Sequence, residues 1–398
     1  MINRSTNLVI ILSLAVLCLT GALAVPANAG ENELLPIENL GKLIFFDANL
    51  SKPVGQSCAS CHDPSAGFAN PVTGLPVSQG AIPSRYGNRN APSVSYAMFS
   101  PVLQYDQTMR PGIMEGMYVG GLFWDGRANT LEDQAKAPFL NPLEMHNLRK
   151  ATVILGIRQS SYAKLFQQVF GKRSLDDVDK AYENVAQAIA SYERSSEVNP
   201  FTSKYDYWKA GQAVFTDSEY NGYLLFTNTG MMGAKCANCH SLAKPDSNDP
   251  DLFTSFGYQN VGAPRNPDLP FYDLPMPLNP AGESYVDRGL GDFLRSAGYP
   301  EDVAAKEDGK FKIPSLRNCA VTPPYEHNGV FSTLREVVMF NNTRDVAGAG
   351  WPPPEVPENV HRHMPPMPRT FGQLGLTDQQ VDDIVAFLET LTDGYIPQ

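Results

Sequence analysis

Histidine is scarce in this chain: 398 residues contain 6, the same number as cysteine, with only 3 tryptophans. Any chemistry that needs several imidazoles is therefore restricted, and each histidine has to be accounted for singly. Basic residues are also in deficit, 31 Lys and Arg against 42 Asp and Glu, for a formal charge of −11. A surface of that sign disfavours nucleic acid and anionic membranes and suits a basic protein partner. Downstream of the N-terminus no run of ~18 apolar residues occurs, so no membrane span is expected there. Glycine and proline are abundant, at 32 and 33, which predicts many ordered turns. The length allows two or more domains.

The one long apolar run lies at the start. Arg4 precedes a mainly apolar stretch from Leu8 to Val25, which closes on Ala27-Asn28-Ala29, the pattern of a cleaved secretory signal. The expectation is a leader over residues 1–29 and an exported chain that begins at Gly30. Its removal takes one basic residue away and leaves 30 against 42.

Cysteine and histidine fall together twice. Cys58-Ala59-Ser60-Cys61-His62 recurs as Cys236-Ala237-Asn238-Cys239-His240. In C-x-x-C-H the two thiols bond the vinyl groups of a porphyrin, and the imidazole next in sequence ligates its iron. At this composition one such motif is expected by chance about 0.001 times. A C-x-x-C alone also serves zinc or thiol redox chemistry, but neither needs a histidine directly after it. The motifs therefore predict two covalently bound haems c, held by Cys58, Cys61 and His62 and by Cys236, Cys239 and His240. Cys18 falls in the leader, so Cys319 is left without a disulfide partner and reads as a buried apolar thiol.

The surroundings of the motifs also repeat. Gly41-Lys42-Leu43-Ile44-Phe45 precedes the first and Gly222-Tyr223-Leu224-Leu225-Phe226 the second, each a short apolar helix leading into a haem loop. The expected fold is mainly α: two cytochrome c-like haem domains, 30–200 and 201–398, with long ordered loops. Helical spacing from Asp176 to Ser195 ends at Asn199-Pro200. A second helix opens at Thr377 and carries Val381, Ile384, Val385, Leu388 and Leu391 on one face. The stretch from Asp63 to Pro111, rich in Gly, Pro, Ser and Asn, reads as ordered loop.

With both proximal positions taken by histidine, function depends on the opposite face of each iron: a filled position transfers electrons and an open one binds peroxide. Only His146, His327, His361 and His363 remain, and none lies between Asp63 and Met145.

The chain resembles the bacterial diheme cytochrome c peroxidases together with the MauG-type enzymes that oxidise tryptophan residues of partner proteins. The resemblance rests on Leu43 to Asp47, Arg89-Asn90-Ala91-Pro92-Ser93, Phe123-Trp124-Asp125-Gly126-Arg127 and Asn141-Pro142-Leu143-Glu144-Met145. In the second half it rests on Phe311 to Asn318, Thr322 to Gly329 and Leu376 to Leu391. It implies that Gln134 and Glu144 stand over the peroxide-binding face of the first haem, with Pro138 packed over that iron. A glutamate desolvated there is suited to moving a proton between the peroxide oxygens. Without the resemblance, Asn141 to Met145 reads as a helix start with an acidic first turn. The resemblance further implies that Trp124 relays charge between the haems. It places a calcium site between the domains at Asn90 and the carbonyls of Thr322 and Pro324, oxygen ligands that suit Ca²⁺.

Two departures matter. Classical members carry a histidine after the first motif, and its absence here is MauG-like and implies a first haem that is open at rest. The sixth ligand of the second haem, Met or Tyr in the family, falls on Asn341, with Met339 and the segment from His361 to Met367 as substitutes. The implied function is periplasmic reduction of hydrogen peroxide at the first haem, with electrons delivered through the second by a small c-type cytochrome or cupredoxin. The alternatives are MauG-like oxidation of Trp or Tyr in a partner protein, and a diheme electron carrier.

Overall fold

The computed structural model describes residues 34–71, 74–108, 116–230, 232–243, 249–361 and 370–397. The expected leader lies outside them, as do His363, Met364 and Met367. Leu34 to Gln398 belong to one compact unit. The architecture is mainly α, with two haem domains. Its helices are α1 (Pro36–Phe45), α2 (Leu131–Leu140), α3 (Lys150–Gln159), α4 (Ala163–Phe170), α5 (Val178–Glu193), α6 (Lys204–Lys209), α7 (Asp217–Thr227), α8 (Leu290–Ser296), α9 (Glu301–Ala304), α10 (Leu334–Thr343) and α11 (Asp378–Glu389). Strands among the described residues are limited to two antiparallel pairs, β1 (Gln104–Asp106) with β2 (Met117–Val119) and β3 (Tyr258–Gln259) with β4 (Phe311–Lys312).

Two apolar cores carry the fold. In the first, α1 and α2 lie along α5, which buries Leu40, Ile44, Phe139, Val185 and Ile189. In the second, α7 and α10 lie along α11, which buries Phe226, Val338, Val381, Ile384 and Phe387. The repeat read from sequence has a packing cause. A Cβ on Gly41 of α1 would stand 1.9 Å from the Ala188 carbonyl oxygen of α5, and a Cβ on Gly222 of α7 would stand 1.9 Å from the Asp383 carbonyl oxygen of α11. In each core two helices cross so closely that only glycine fits at the crossing. The same crossing then delivers the chain to a C-x-x-C-H turn.

Helix ends follow local chemistry. Asp177 caps α5 by accepting from the Asp179 and Lys180 amides, and Thr377 and Gln380 form a capping box on α11, each satisfying amides that lack a partner within the helix. Cys319 is buried in the second core, and its burial pushes the thiol up to about 12.

Candidate functional site

Both motifs open in a single 3₁₀ turn, Cys58–Ser60 and Cys236–Asn238, which brings the histidine amide back to the carbonyl of the first cysteine at 2.9 Å in each case. His62 Nδ1 donates to the Pro92 carbonyl at 3.0 Å, and His240 Nδ1 donates to the Phe253 carbonyl at 3.0 Å. A carbonyl only accepts, so each Nδ1 carries the ring proton and each Nε2 keeps its lone pair. Burial pushes both imidazoles down to about 4, which keeps them neutral and able to ligate a metal. Burial also pushes the Cys61 and Cys236 thiols up to about 12 and the Cys239 thiol up to about 11. Among the described residues no group of three or more His, Cys, Asp or Glu is arranged to hold a metal ion.

Cys58, Cys61 and His62 line a cavity with an empty volume of about 1210 Å³, its open mouth included. The same cavity is lined by Gln134 and Pro138, one turn apart on α2, and by Glu144. Asn141 to Met145 is not the start of a helix. It is the turn that ends α2: the Met145 amide returns to the Pro138 carbonyl and the Glu144 amide to the Asn141 carbonyl. Pro138, in the last turn of the helix, has no amide to donate to the Gln134 carbonyl, so the hydrogen-bond ladder is interrupted there. Glu144 Oε1 accepts from Asn141 Nδ2 at 2.8 Å; burial raises the carboxyl above its ordinary range, while Arg127 and Asn141 oppose the rise.

Trp124 lines this cavity and also a second one of about 1020 Å³, which reaches to Pro314, Arg317, Thr322 and Pro324. Asn90 lines both, and its Nδ2 lies 3.2 Å from the Pro324 carbonyl. The three residues of the expected calcium site thus share one cavity wall. Lys312 faces the same cavity. Its ammonium donates to Ser100 Oγ and the Gly121 carbonyl, has no carboxylate partner among the described residues, and is pushed down to about 7 by burial.

Around the second motif, Cys236 packs with Leu316, Leu334 and Met339 against the second core. Met339 is thus a packed helix residue. Asn341 lies one turn beyond Val338 and two beyond Leu334 on α10, on the same face. Its Oδ1 is buried with no hydrogen-bond partner. His361 is described, with its ring against Phe371 and its amide donating to the Asn260 carbonyl.

Sequence reasoning missed several groups of the first cavity. Arg127 stacks on Phe123 at 3.6 Å and is held by both oxygens of Asp125 at 2.9 Å. Arg89 makes a two-point ion pair with Asp287 and a further one with Asp125. Glu193, at the end of α5, also lines the wall. Arg89 and Arg127 stood inside segments noted for their family pattern, but only tertiary contacts show what they face.

A family model, di-haem cytochrome c peroxidase, matches residues 36–214. The methylamine utilization protein MauG of Paracoccus denitrificans is 38% identical over 390 residues, which cover 94% of this chain and 93% of that protein. Cytochrome c551 peroxidase of Nitrosomonas europaea is 29% identical over 377 residues, 92% of this chain and 83% of that one. Among solved structures, the diheme peroxidase BthA of Burkholderia thailandensis superposes with a TM-score of 0.78 at 36% identity and covers 90% of this chain and 86% of its own. Two half-buried, neutral histidines that keep the Nε2 lone pair, each behind a paired-cysteine turn, fit the cofactors of that family. The chain belongs to the di-haem cytochrome c peroxidase family and is a peroxidase-type oxidoreductase with two c-type haems.

Proposed function

We propose that the protein reduces hydrogen peroxide in the periplasm, at the first cavity, with electrons from a small c-type cytochrome or cupredoxin that enter on the side of the second motif. The supporting observation is the composition of the first cavity. His62, free at Nε2, lines it together with Gln134, Pro138 and Glu144, and no histidine occurs between Asp63 and Met145 to fill the distal face. A haem bound there supplies a redox-active iron that can bind and reduce peroxide. The residues of the chain do the rest. Cys58 and Cys61 fix the group, and Gln134 and Pro138 orient and confine the ligand. Glu144, raised by burial, accepts the proton of the inner peroxide oxygen and returns it to the outer one.

The remaining assignments complete this reading. Trp124, in the wall of both cavities, carries charge between them. Ca²⁺ binds at Asn90, Thr322 and Pro324, and Lys312 offers its unpaired ammonium to a porphyrin carboxylate. The domains divide near residue 200, where the first core ends at Val198 and the second begins at Tyr205. Residues 1–29 direct export and are removed.

A second reading, oxidation of Trp or Tyr side chains in a partner protein, is favoured by the missing distal histidine and by the similarity to MauG. One experiment separates the two. The purified diheme protein is mixed with peroxide and a reduced small c-type cytochrome, from the fully oxidised and from the half-reduced state. Rapid cytochrome oxidation from both states is the expected result. Haem bleaching with the cytochrome left reduced would reject the peroxidase reading and favour a protein substrate.

A further inference from the structure

Glu193 stands in the wall of the first cavity with nothing to bind. It is the last residue of α5, only 2% of it is exposed, and it lines the cavity one turn beyond Ile189. Its Oε2 is buried without a hydrogen-bond partner, and no hydrogen bond to either carboxyl oxygen is found among the described residues. The nearest cation, Arg194, is committed to Glu132 of α2, with Nη1 2.7 Å from Oε1 and Nη2 3.0 Å from Oε2. The negative end of the α5 dipole adds to the cost of a carboxylate at this position. A buried carboxyl group without partners is rare in folded proteins and calls for a functional cause. Glu193 lines the same cavity as Glu144, and its charge is felt at the Cys58 thiol.

Reduction of one peroxide molecule consumes two electrons and two protons and yields two molecules of water. Glu144 only moves a proton already present from the inner oxygen to the outer one. Both consumed protons must therefore arrive from other groups, while the electrons come from the one-electron protein donor. We propose that Glu193 is a second proton-delivering residue of the first cavity. Its carboxyl O–H bond breaks as an O–H bond forms on one of the two waters, and the carboxylate regains its proton from solvent. This role rests on the peroxidase reading above. Burial pushes the Glu193 carboxyl up to about 8, against a lowering by Arg194 and with a smaller rise from Glu132, so the proton is held at neutral pH. The other charged or titratable groups lining the same cavity are Cys58, Cys61, His62, Arg89, Arg127 and Glu144; only Glu144 is likewise a carboxyl raised by burial.

The test uses the diheme holoprotein, its Glu193→Gln and Glu193→Met variants, and Glu144→Gln. Methionine removes the unpartnered oxygen altogether, which guards against a glutamine that disturbs the fold. Infrared spectra in H₂O and D₂O should contain a deuterium-sensitive carboxylic acid band that both Glu193 variants lose and Glu144→Gln keeps. Peroxide-driven oxidation of a reduced c-type cytochrome should decline in the wild type as pH rises through about 8. Both Glu193 variants should lack that limb and turn over about tenfold or more slowly at neutral pH. A purely structural role would leave the shape of the pH profile unchanged. Variants that match the wild type across the pH range, or a wild type without the band, overturn the proposal and leave the peroxidase reading standing. A wild type inert toward peroxide removes both.

Discussion

Trp124 Nε1 donates a 2.8 Å hydrogen bond to the backbone carbonyl of Asn90. The bond joins the residue that borders both cavities to the residue that meets Pro324 across them. On the other side of the indole, the Lys312 amide donates to the Trp124 carbonyl at 2.9 Å. The residue is thus held at both its indole nitrogen and its backbone, which suits the relay proposed for it.

Trp124→Phe keeps an aromatic ring but loses the donor to Asn90. Neither C-x-x-C-H turn is touched, so both haems should still attach. Peroxide-driven oxidation of the external donor should fall about tenfold or more, while the reaction of peroxide with the resting protein persists in stopped-flow absorbance. Equal losses in both would show that the residue packs and does not relay.

Glu144→Gln removes the titrating group and keeps its shape. Asn141 Nδ2 would then face either end of an amide in place of the carboxylate oxygen it meets at 2.8 Å. Peroxide turnover should drop about 100-fold or more, the usual scale for loss of a positioned acid–base group. Glu144 must be ionised to accept the proton, and burial raises this carboxyl. Wild-type turnover should therefore rise with pH as the group ionises, at higher pH than for an ordinary glutamate, and the variant should lack that rise. Unchanged turnover in steady-state assays would show that Glu144 does not move the proton.

Most of the frame was legible in the sequence because its signals are local. The thiol–imidazole spacing, the helical period ending before Asn199, and the Thr377 cap each depend on residues a few positions apart. Glu193 was not legible, since an acidic residue at the end of a helix reads as solvated until the cavity beside it is seen. Arg89 was hidden for a different reason: its partner Asp287 lies 198 residues away. Asn141 to Met145 misled because Asn-Pro followed by an acidic residue suits a helix start, whereas these residues form the turn that closes α2. The repeat of Gly41 and Gly222 was visible as a pattern, but its cause lies in backbones more than 140 residues downstream, at Ala188 and Asp383.

The resemblance sets Asn341 where the family carries a Met or Tyr ligand to the second haem. Its buried, unpartnered Oδ1 lies on the face of α10 that carries Leu334 and Val338. Asn341→Met and Asn341→Tyr should therefore each alter the absorption and electron paramagnetic resonance spectra of the second haem, and leave those of the first unchanged. A thioether and a phenolate differ in field strength, so the two variants should also differ from each other. Spectra identical to the wild type in both would place the sixth ligand elsewhere in the chain.

A last consequence concerns stability and pH. Glu355 is 94% removed from solvent at its side chain, its Oε1 lies 3.9 Å from Arg265 Nη1 without a hydrogen bond, and burial pushes the carboxyl up to about 7 from 4.5. Asp287 adds to the rise and Arg265 opposes it. Below 4.5 the group is protonated in both folded and unfolded chains, and its burial carries no ionic penalty. Between 4.5 and about 7 the unfolded chain ionises while the folded one keeps its proton, so stability falls as pH rises. Above that window both forms are ionised and the penalty is constant, at most about 3 kcal/mol from this group. Glu355→Gln holds the neutral shape at every pH. Thermal unfolding of the holoprotein should thus give a Tm difference, variant above wild type, that grows from pH 5 to pH 8. Parallel Tm curves across that window would mean that Glu355 ionises in the fold as it does in water, and that His327, whose unpartnered Nε2 lines the same small cavity, does not share a dry site with it.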